Sequence, residues 1–308
     1  MTIEELTAAC HDGTIDEVIR VAEARQVKAL GRIADEVCAR PGVRLVLLAG
    51  ASAAGKTTTA KRICTQLRVN GASATLLSTD DYFVGDDQTP RNEKGELDYE
   101  HVDCVDIPRF VADLNALIRG ETIRERRFDF VKHEGYDSER TLTLPANGYV
   151  VVEGIHALNP RLTEGVADAT KFRVFAEPKT QLTVFALSKL PSTAGRFMRR
   201  LVRDFHYRKL EPRRTFEMWP NVLAGEQKWI EPFRPLADAQ FDTGLVYEPL
   251  VLKPFVEWPL RKLNEDLGGH PNITALIELL AVLPTVSPNA VPGDSILRET
   301  IGGSQLEY

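Results

Sequence analysis

The octapeptide Gly50-Ala51-Ser52-Ala53-Ala54-Gly55-Lys56-Thr57 constrains this chain more than any other feature. It matches G-x-x-x-x-G-K-[ST] at every fixed position. Small residues let backbone N–H groups curl around phosphate oxygens, and the helix that follows aims its positive end at the same anion. The pattern assigns Lys56 to the β- and γ-phosphates of a nucleotide and the Thr57 hydroxyl to Mg²⁺. The flanking sequence agrees. An apolar run at 43–49 has the length of a strand buried on both faces, and a helical stretch follows from about residue 56 to 69.

The rest of the chain alternates in the same way. Residues 3–39 carry apolar positions at helical spacing, ended by Pro41-Gly42. Residues 74–78, 149–153 and 171–175 read as further strands, and 107–118 as a helix ended by Gly120. The polar stretch 85–98 reads as a loop, 244–252 as an edge strand, and 273–283 as an apolar helix. These elements predict an α/β fold, a P-loop three-layer sandwich with a mainly parallel sheet. They divide into an N-terminal helical extension at 1–40, a core at 41–255 and a C-terminal helical and wrapping segment at 256–308.

Composition sets limits on function. The 308 residues hold 43% hydrophobic and 27% charged side chains, enough apolar material for a buried core. The net charge of −6 argues against a general nucleic-acid binder. Cys10, Cys38, Cys64 and Cys104 form no CxxC pair, and no apolar run approaches the ~18 residues of a membrane span. The N-terminus lacks the basic-then-apolar order of a secretion signal, so the expected setting is cytoplasmic. One segment departs from the acidic average. Residues 196–214 contain eight basic residues, including Arg199, Arg200, Arg203 and Arg208. They form a phosphate-facing lid, a solvated helix face or a nucleic-acid patch; the phosphate loop favours the first.

The carboxylates at strand ends are the candidate chemical groups. In a doubly wound sheet, ligands bind at the carboxyl ends of strands. Asp80 and Asp81 follow the 74–78 strand, where one of them takes a proton from an attacking hydroxyl or caps a turn. Glu153 ends the 149–153 strand and is either a holder of Mg²⁺-bound water or a solvated strand-end residue.

Four segments together resemble the uridine kinase/phosphoribulokinase family of P-loop kinases. They are Gly50–Thr58, Ser78-Thr79-Asp80-Asp81-Tyr82-Phe83, Glu153-Gly154-Ile155-His156-Ala157-Leu158 and Arg199-Arg200-Leu201-Val202-Arg203-Asp204. The likeness is greatest to bacterial uridine kinase-like nucleoside kinases, a branch often fused to a TGS module that this sequence does not show. By this resemblance Asp80 is the catalytic base and Glu153 the carboxylate near Mg²⁺. Asp81 and Tyr82 belong to the substrate side. Glu100 falls where nucleoside kinases carry an Asp gripping ribose hydroxyls, and is otherwise a solvated loop residue. Phe128, Phe130 and His133 fall where pyrimidine kinases hold the base, Phe128 replacing a common Tyr. Otherwise the two Phe are core residues on one strand face and His133 a surface residue. Arg200, Arg203 and Arg208 fall in the helical lid, at about 195–215, with Leu210 where an Arg is usual.

The resemblance therefore implies an ATP- and Mg²⁺-dependent kinase acting on a hydroxyl of a small acceptor, with the 5′-hydroxyl of a uridine- or cytidine-like nucleoside as the leading choice. A sugar or polyol kinase is the alternative, and a nucleotide-regulated binding protein without turnover the alternative of another class. The implied partners are small molecules, neither nucleic acid nor membrane, together with further copies of the chain as a dimer or tetramer.

Overall fold

The computed structural model describes residues 1–179, 183–184, 188–189 and 192–307. In chain order its elements are α1 (Ile3–His11), α2 (Ile15–Ala39), β1 (Leu45–Ala49), α3 (Lys56–Val69), β2 (Ser73–Ser78), α4 (Ile107–Ile118), β3 (Ile123–Asp129) and β4 (Glu134–Leu142). There follow β5 (Gly148–Glu153), β6 (Lys171–Glu177), β7 (Thr183–Val184), β8 (Ser188–Lys189), α5 (Ser192–Tyr207), α6 (Pro212–Trp229), β9 (Ala239–Asp242), α7 (Glu248–Asp266), α8 (Pro271–Val282) and α9 (Arg298–Ile301).

Five strands form one parallel sheet in the order β2-β5-β1-β6-β9. Every residue of β1 is buried, because helices cover both of its faces. The two-residue strand period divides its side chains. Leu45, Leu47 and Ala49 join Val150 and Val152 of β5 and Phe110, Leu114 and Leu117 of α4. Val46 and Leu48 join Val151 and the inner stripes of α2 and α3, including Leu30, Ile33, Ile63 and Leu67. A third cluster, outside the sheet, gathers α1, α5, α7 and α8 around Leu201, Tyr247 and Leu260. The sheet register sets Ser78 and Leu48 beside Glu153, so β1, β2 and β5 end at one level.

The parallel α/β architecture agrees with the sequence reading, and four local features differ. The segment 3–39 is two helices, broken at Gly13, whose φ of +74° suits glycine. The stretch 244–252 is not an edge strand: β9 takes the edge, and α7 begins at Glu248. A short apolar run does not separate a buried helix from a strand. Pro249 decides here, since it fits a first helical turn and would remove a ladder hydrogen bond from a strand. Residue 255, drawn as the end of the core, lies inside α7, which packs on α5 and α8. The antiparallel hairpin β3–β4 was not foreseen. Its strands are mostly charged and lack clean alternation, and cross-strand pairs such as Arg126–Asp137 (3.3 Å) help to hold them.

Arg196, Arg199 and Arg200 on α5 are buried, so the basic stretch is not a solvated face there. Arg196 Nη2 donates to both Glu226 oxygens at 2.8 and 3.1 Å. Removing one partner of a buried pair leaves an uncompensated charge. Glu226→Ala is therefore expected to lower the unfolding free energy by about 3–5 kcal/mol. Chemical denaturation checks this, and a loss below about 1 kcal/mol, the level of an exposed pair, would contradict it.

Candidate active site

The phosphate loop has the geometry its motif requires. Gly55 caps α3 in the left-handed region at φ +81°, and Ala53 is also left-handed at +59°. A Cβ on Gly50 would overlap the carbonyl oxygen of Ala176, so only glycine fits there. Helix α5 holds the outer side of the loop. Arg196 Nη1 donates to Ser52 O at 3.3 Å, Arg199 Nη1 to Ala53 O at 3.5 Å and Arg200 Nη1 to Ser52 Oγ at 2.7 Å. Arg199 is itself paired with Glu248, its Nη2 donating to Oε2 at 2.6 Å. Lys56 Nζ bonds Ala51 O at 3.2 Å across the loop.

Three carboxylates gather near Lys56. Glu153 is 3% exposed. Its Oε1 accepts from Thr57 Oγ1 at 3.2 Å and from Ser78 Oγ at 2.7 Å. Burial and then the Asp80 charge push its pKa up to about 7, opposed by Lys56 and the Ser78 bond. Asp80 stands on the 3₁₀ turn Thr79–Tyr82, whose cap Ser78 accepts from the Asp80 amide at 3.3 Å. Its Oδ1 is buried and has no hydrogen-bond partner. Gly154 closes the joint between that turn and β5, for a Cβ on it would overlap Thr79 Oγ1. Glu100 is half-buried, its Oε2 buried without a partner, and α6 reaches it closely enough that a Cβ on Gly225 would overlap its Cβ. Burial pushes the Glu100 pKa up to about 7, against the pull of Arg200 and Lys56.

The remaining predicted residues separate. Asp81 lies 3.7 Å from Arg127 of β3, and burial outweighs that cation in raising its pKa to about 6. Tyr82 is a correction. It is 1% exposed, its hydroxyl donates to Asp113 Oδ2 at 3.0 Å, and its ring meets Phe110 edge-on, so it is a core residue and not a substrate contact. Phe128 and Phe130 stack edge-on at 5.1 Å between centroids and both meet Phe83. Phe130 stays 42% exposed, with the Arg208 guanidinium 5.1 Å from its ring. His133, left-handed at φ +56°, has Nδ1 3.0 Å from Asp86 Oδ1. It lines a cleft of about 500 Å³ beside the hairpin. Glu100 and Arg200 line a different one of about 530 Å³, between residues 92–100 and α6.

On α5, Asp204 has no exposed surface and collects the arginines. It lies 3.3 Å from Arg200, 2.8 Å from Arg203 and 4.0 Å from Arg208. Burial alone would raise the Asp204 pKa, but these cations outweigh it and hold it low. Arg203 and then burial push Arg208 down to about 10. Sequence reasoning assigned no role to Ser78, Glu226, Glu248 or His156, although Ser78 and His156 lie in the family-like segments quoted above. His156 is 1% exposed, and burial lowers its pKa to about 4 against hydrogen bonding to the Glu100 and His101 backbone. Only tertiary contact joins Glu226 and Glu248 to the loop, so no local pattern could have marked them.

A model of the phosphoribulokinase/uridine kinase family matches residues 45–245. The chain belongs to this family. Uridine kinase of Deinococcus deserti is 28% identical over 203 residues, covering 66% of this chain and 88% of that one. Uridine kinase of Leuconostoc citreum is 26% identical over 192 residues, covering 62% and 83%. A solved structure of a possible uridine kinase from Bacillus stearothermophilus is 18% identical, with a TM-score of 0.49, covering 71% of this chain and all of that one. The family resemblance read from the four motifs is thus correct, and the family is one of kinases with small-molecule substrates. Among the described residues, no helix is long and apolar enough to cross a membrane.

Glu100 generates a pH prediction. Its folded pKa of about 7 lies above the ordinary 4.5, so the folded state binds the proton more tightly than the unfolded state. Stability is then highest below about pH 4.5 for this group and falls as pH rises through about 7. Glu153 acts in the same direction. Glu100→Gln should flatten the fall between pH 5 and 8 by about 1–3 kcal/mol. Denaturation at several pH values reads this, and an unchanged slope would contradict it.

Proposed function

We propose that this chain is an ATP- and Mg²⁺-dependent kinase that phosphorylates a hydroxyl of a small acceptor, with the 5′-hydroxyl of a nucleoside as the leading substrate. The buried, unpartnered Oδ1 of Asp80, beside Glu153 and the phosphate loop, carries this reading. A carboxylate kept free of protein partners at that place suits a base that must accept a proton from an incoming hydroxyl.

The residues fit the groups the family implies. The amides of Gly50 to Thr58 and the Lys56 ammonium would hold the phosphates of ATP. The Thr57 hydroxyl and the Glu153 carboxylate are hard oxygen donors of the kind Mg²⁺ takes singly or in pairs alongside phosphate. When bound, Mg²⁺ neutralises phosphate charge. Asp80 orients the acceptor hydroxyl and takes its proton as the new O–P bond forms and the bond to the departing ADP oxygen breaks. Arg200, Arg203 and Arg208 stabilise charge spread over the transferred oxygens and exclude water. Glu100 grips a second acceptor hydroxyl. The chain works in the cytoplasm as an oligomer.

One observation admits a second acceptor class. Phe128 and Phe130 lie outside the cleft that ends on Glu100 and Arg200. An acceptor seated in that cleft would not stack on the two Phe rings, so a sugar fits it as well as a nucleoside does. A panel of nucleosides and sugars, read by ADP release, separates the two. No stimulation by any acceptor, with ATP binding intact, would sink the kinase reading. Asp80→Asn is expected to lower turnover by about 10²–10⁴-fold and spare ATP binding. An unchanged rate would refute the assignment of the base.

A further inference from the structure

The hairpin β3–β4 stands outside the five-stranded sheet, yet it is fastened to the turn Thr79–Tyr82 that bears Asp80. Successive strand residues face opposite sides, so Arg126 and Arg127 reach different partners. Arg126 Nη1 donates to Asp137 Oδ1 at 3.3 Å, and Arg109 Nη2 of α4 donates to the same oxygen at 3.4 Å. Arg109 Nε also donates to Asp113 Oδ2 at 2.9 Å, the oxygen that accepts from the Tyr82 hydroxyl. This first tie runs from the end of the turn through α4 to both strands of the hairpin.

The second tie is direct. Arg127 Nη1 lies 3.7 Å from Asp81 Oδ2, and the Asp81 carboxylate also accepts from the Phe128 amide. Arg127 Nη2 donates to Glu125 Oε1 at 3.1 Å, so this guanidinium sits between two carboxylates. Asp80 and Glu125 are the like charges that face Asp81, and Arg127 is the opposite one. Phe83, the residue after the turn, meets Phe128 edge-on. The Asp80 Oδ1 has no hydrogen-bond partner to hold it, so its side chain takes its aim from the backbone of the turn. A displacement of about 1 Å in a reacting group can cost about 10²-fold in rate.

We propose that Asp81 is a positioning residue, which docks the turn on β3 through Arg127 and so sets the aim of Asp80 without itself touching the acceptor. The proposal rests on the kinase reading above. Steady-state kinetics of the full chain, with whichever nucleoside or sugar gives the fastest ADP release, and calorimetric titration with Mg-ATP test it. Asp81→Asn should lower kcat by about tenfold and leave the acceptor KM, the ATP Kd and the ATP stoichiometry within about twofold. Arg127→Gln, at a half-buried position, should lower kcat by a similar factor, and it keeps the test open if Asp81→Asn fails to fold. The double variant should lose no more than either single one, because the two residues share one contact. Asp81→Glu, which keeps the carboxylate, should recover part of the rate. A raised acceptor KM at unchanged kcat would make Asp81 a substrate contact and overturn the proposal. So would an unchanged kcat in Arg127→Gln, losses that multiply in the double variant, or a fall in ATP stoichiometry that matches the loss of rate. Wild-type protein that turns over no acceptor would overturn the kinase reading itself, and the role of Asp81 with it.

Discussion

The structure depends on the grip of helix α5 on the carbonyl side of the phosphate loop. A loop that turns its N–H groups inward to an anion turns carbonyl oxygens outward, and these need donors. Arg196 and Arg199 supply them to Ser52 and Ala53 from a buried helix. Two buried cations are tolerable only with counter-charges, and Glu226 of α6 and Glu248 of α7 provide these. The loop, α5, α6 and α7 are thereby one electrostatic unit. Much of the positive charge counted in 196–214 is spent inside the protein, holding the shape of the loop, and only part of it faces a ligand.

The interior of the site is acidic around a single lysine. Asp80, Glu100 and Glu153 share the neighbourhood of Lys56, and the last two are pushed toward neutrality at the pH of a cell. Such crowding is unfavourable in the free protein and is relieved when cations enter. This acidic group stands opposite the arginines of α5, so the site presents carboxylates on one side and guanidinium groups on the other. The unpartnered atoms of Asp80 and Glu100 belong to the same region and give it polar capacity that the protein itself does not use.

Much of this was legible in the sequence because the relevant signals are local. The phosphate loop, β1, β2, β5 and β6 are continuous apolar or small-residue runs, and their order alone predicts the parallel sheet. Asp80 and Glu153 are visible as carboxylates closing such runs. The β3–β4 hairpin escaped because ion pairs between strands, not alternation, stabilise it. Tyr82 was placed on the substrate side by its position in the family-like segment, whereas the turn aims its ring inward at Phe110. Residues 244–252 were misread because buried helices and buried strands share one composition, and only Pro249 separates them. Glu226 and Glu248 act on the loop through Arg196 and Arg199, 144 and 146 positions from their loop partners, and Glu299 contacts Thr58 from 241 positions away, separations at which spacing in one sequence carries no signal.

The joint at Gly154 carries a mechanical consequence. With no space for even a methyl group between β5 and Thr79, the turn bearing Asp80 and the strand bearing Glu153 are bolted together. The two carboxylates are a rigid anvil, fixed in separation and level by the sheet beneath them. The helices on the other side, α5 and α6, are held by side-chain ion pairs instead, so the two walls of the site differ in kind: one is close steric packing, the other is charge set against charge.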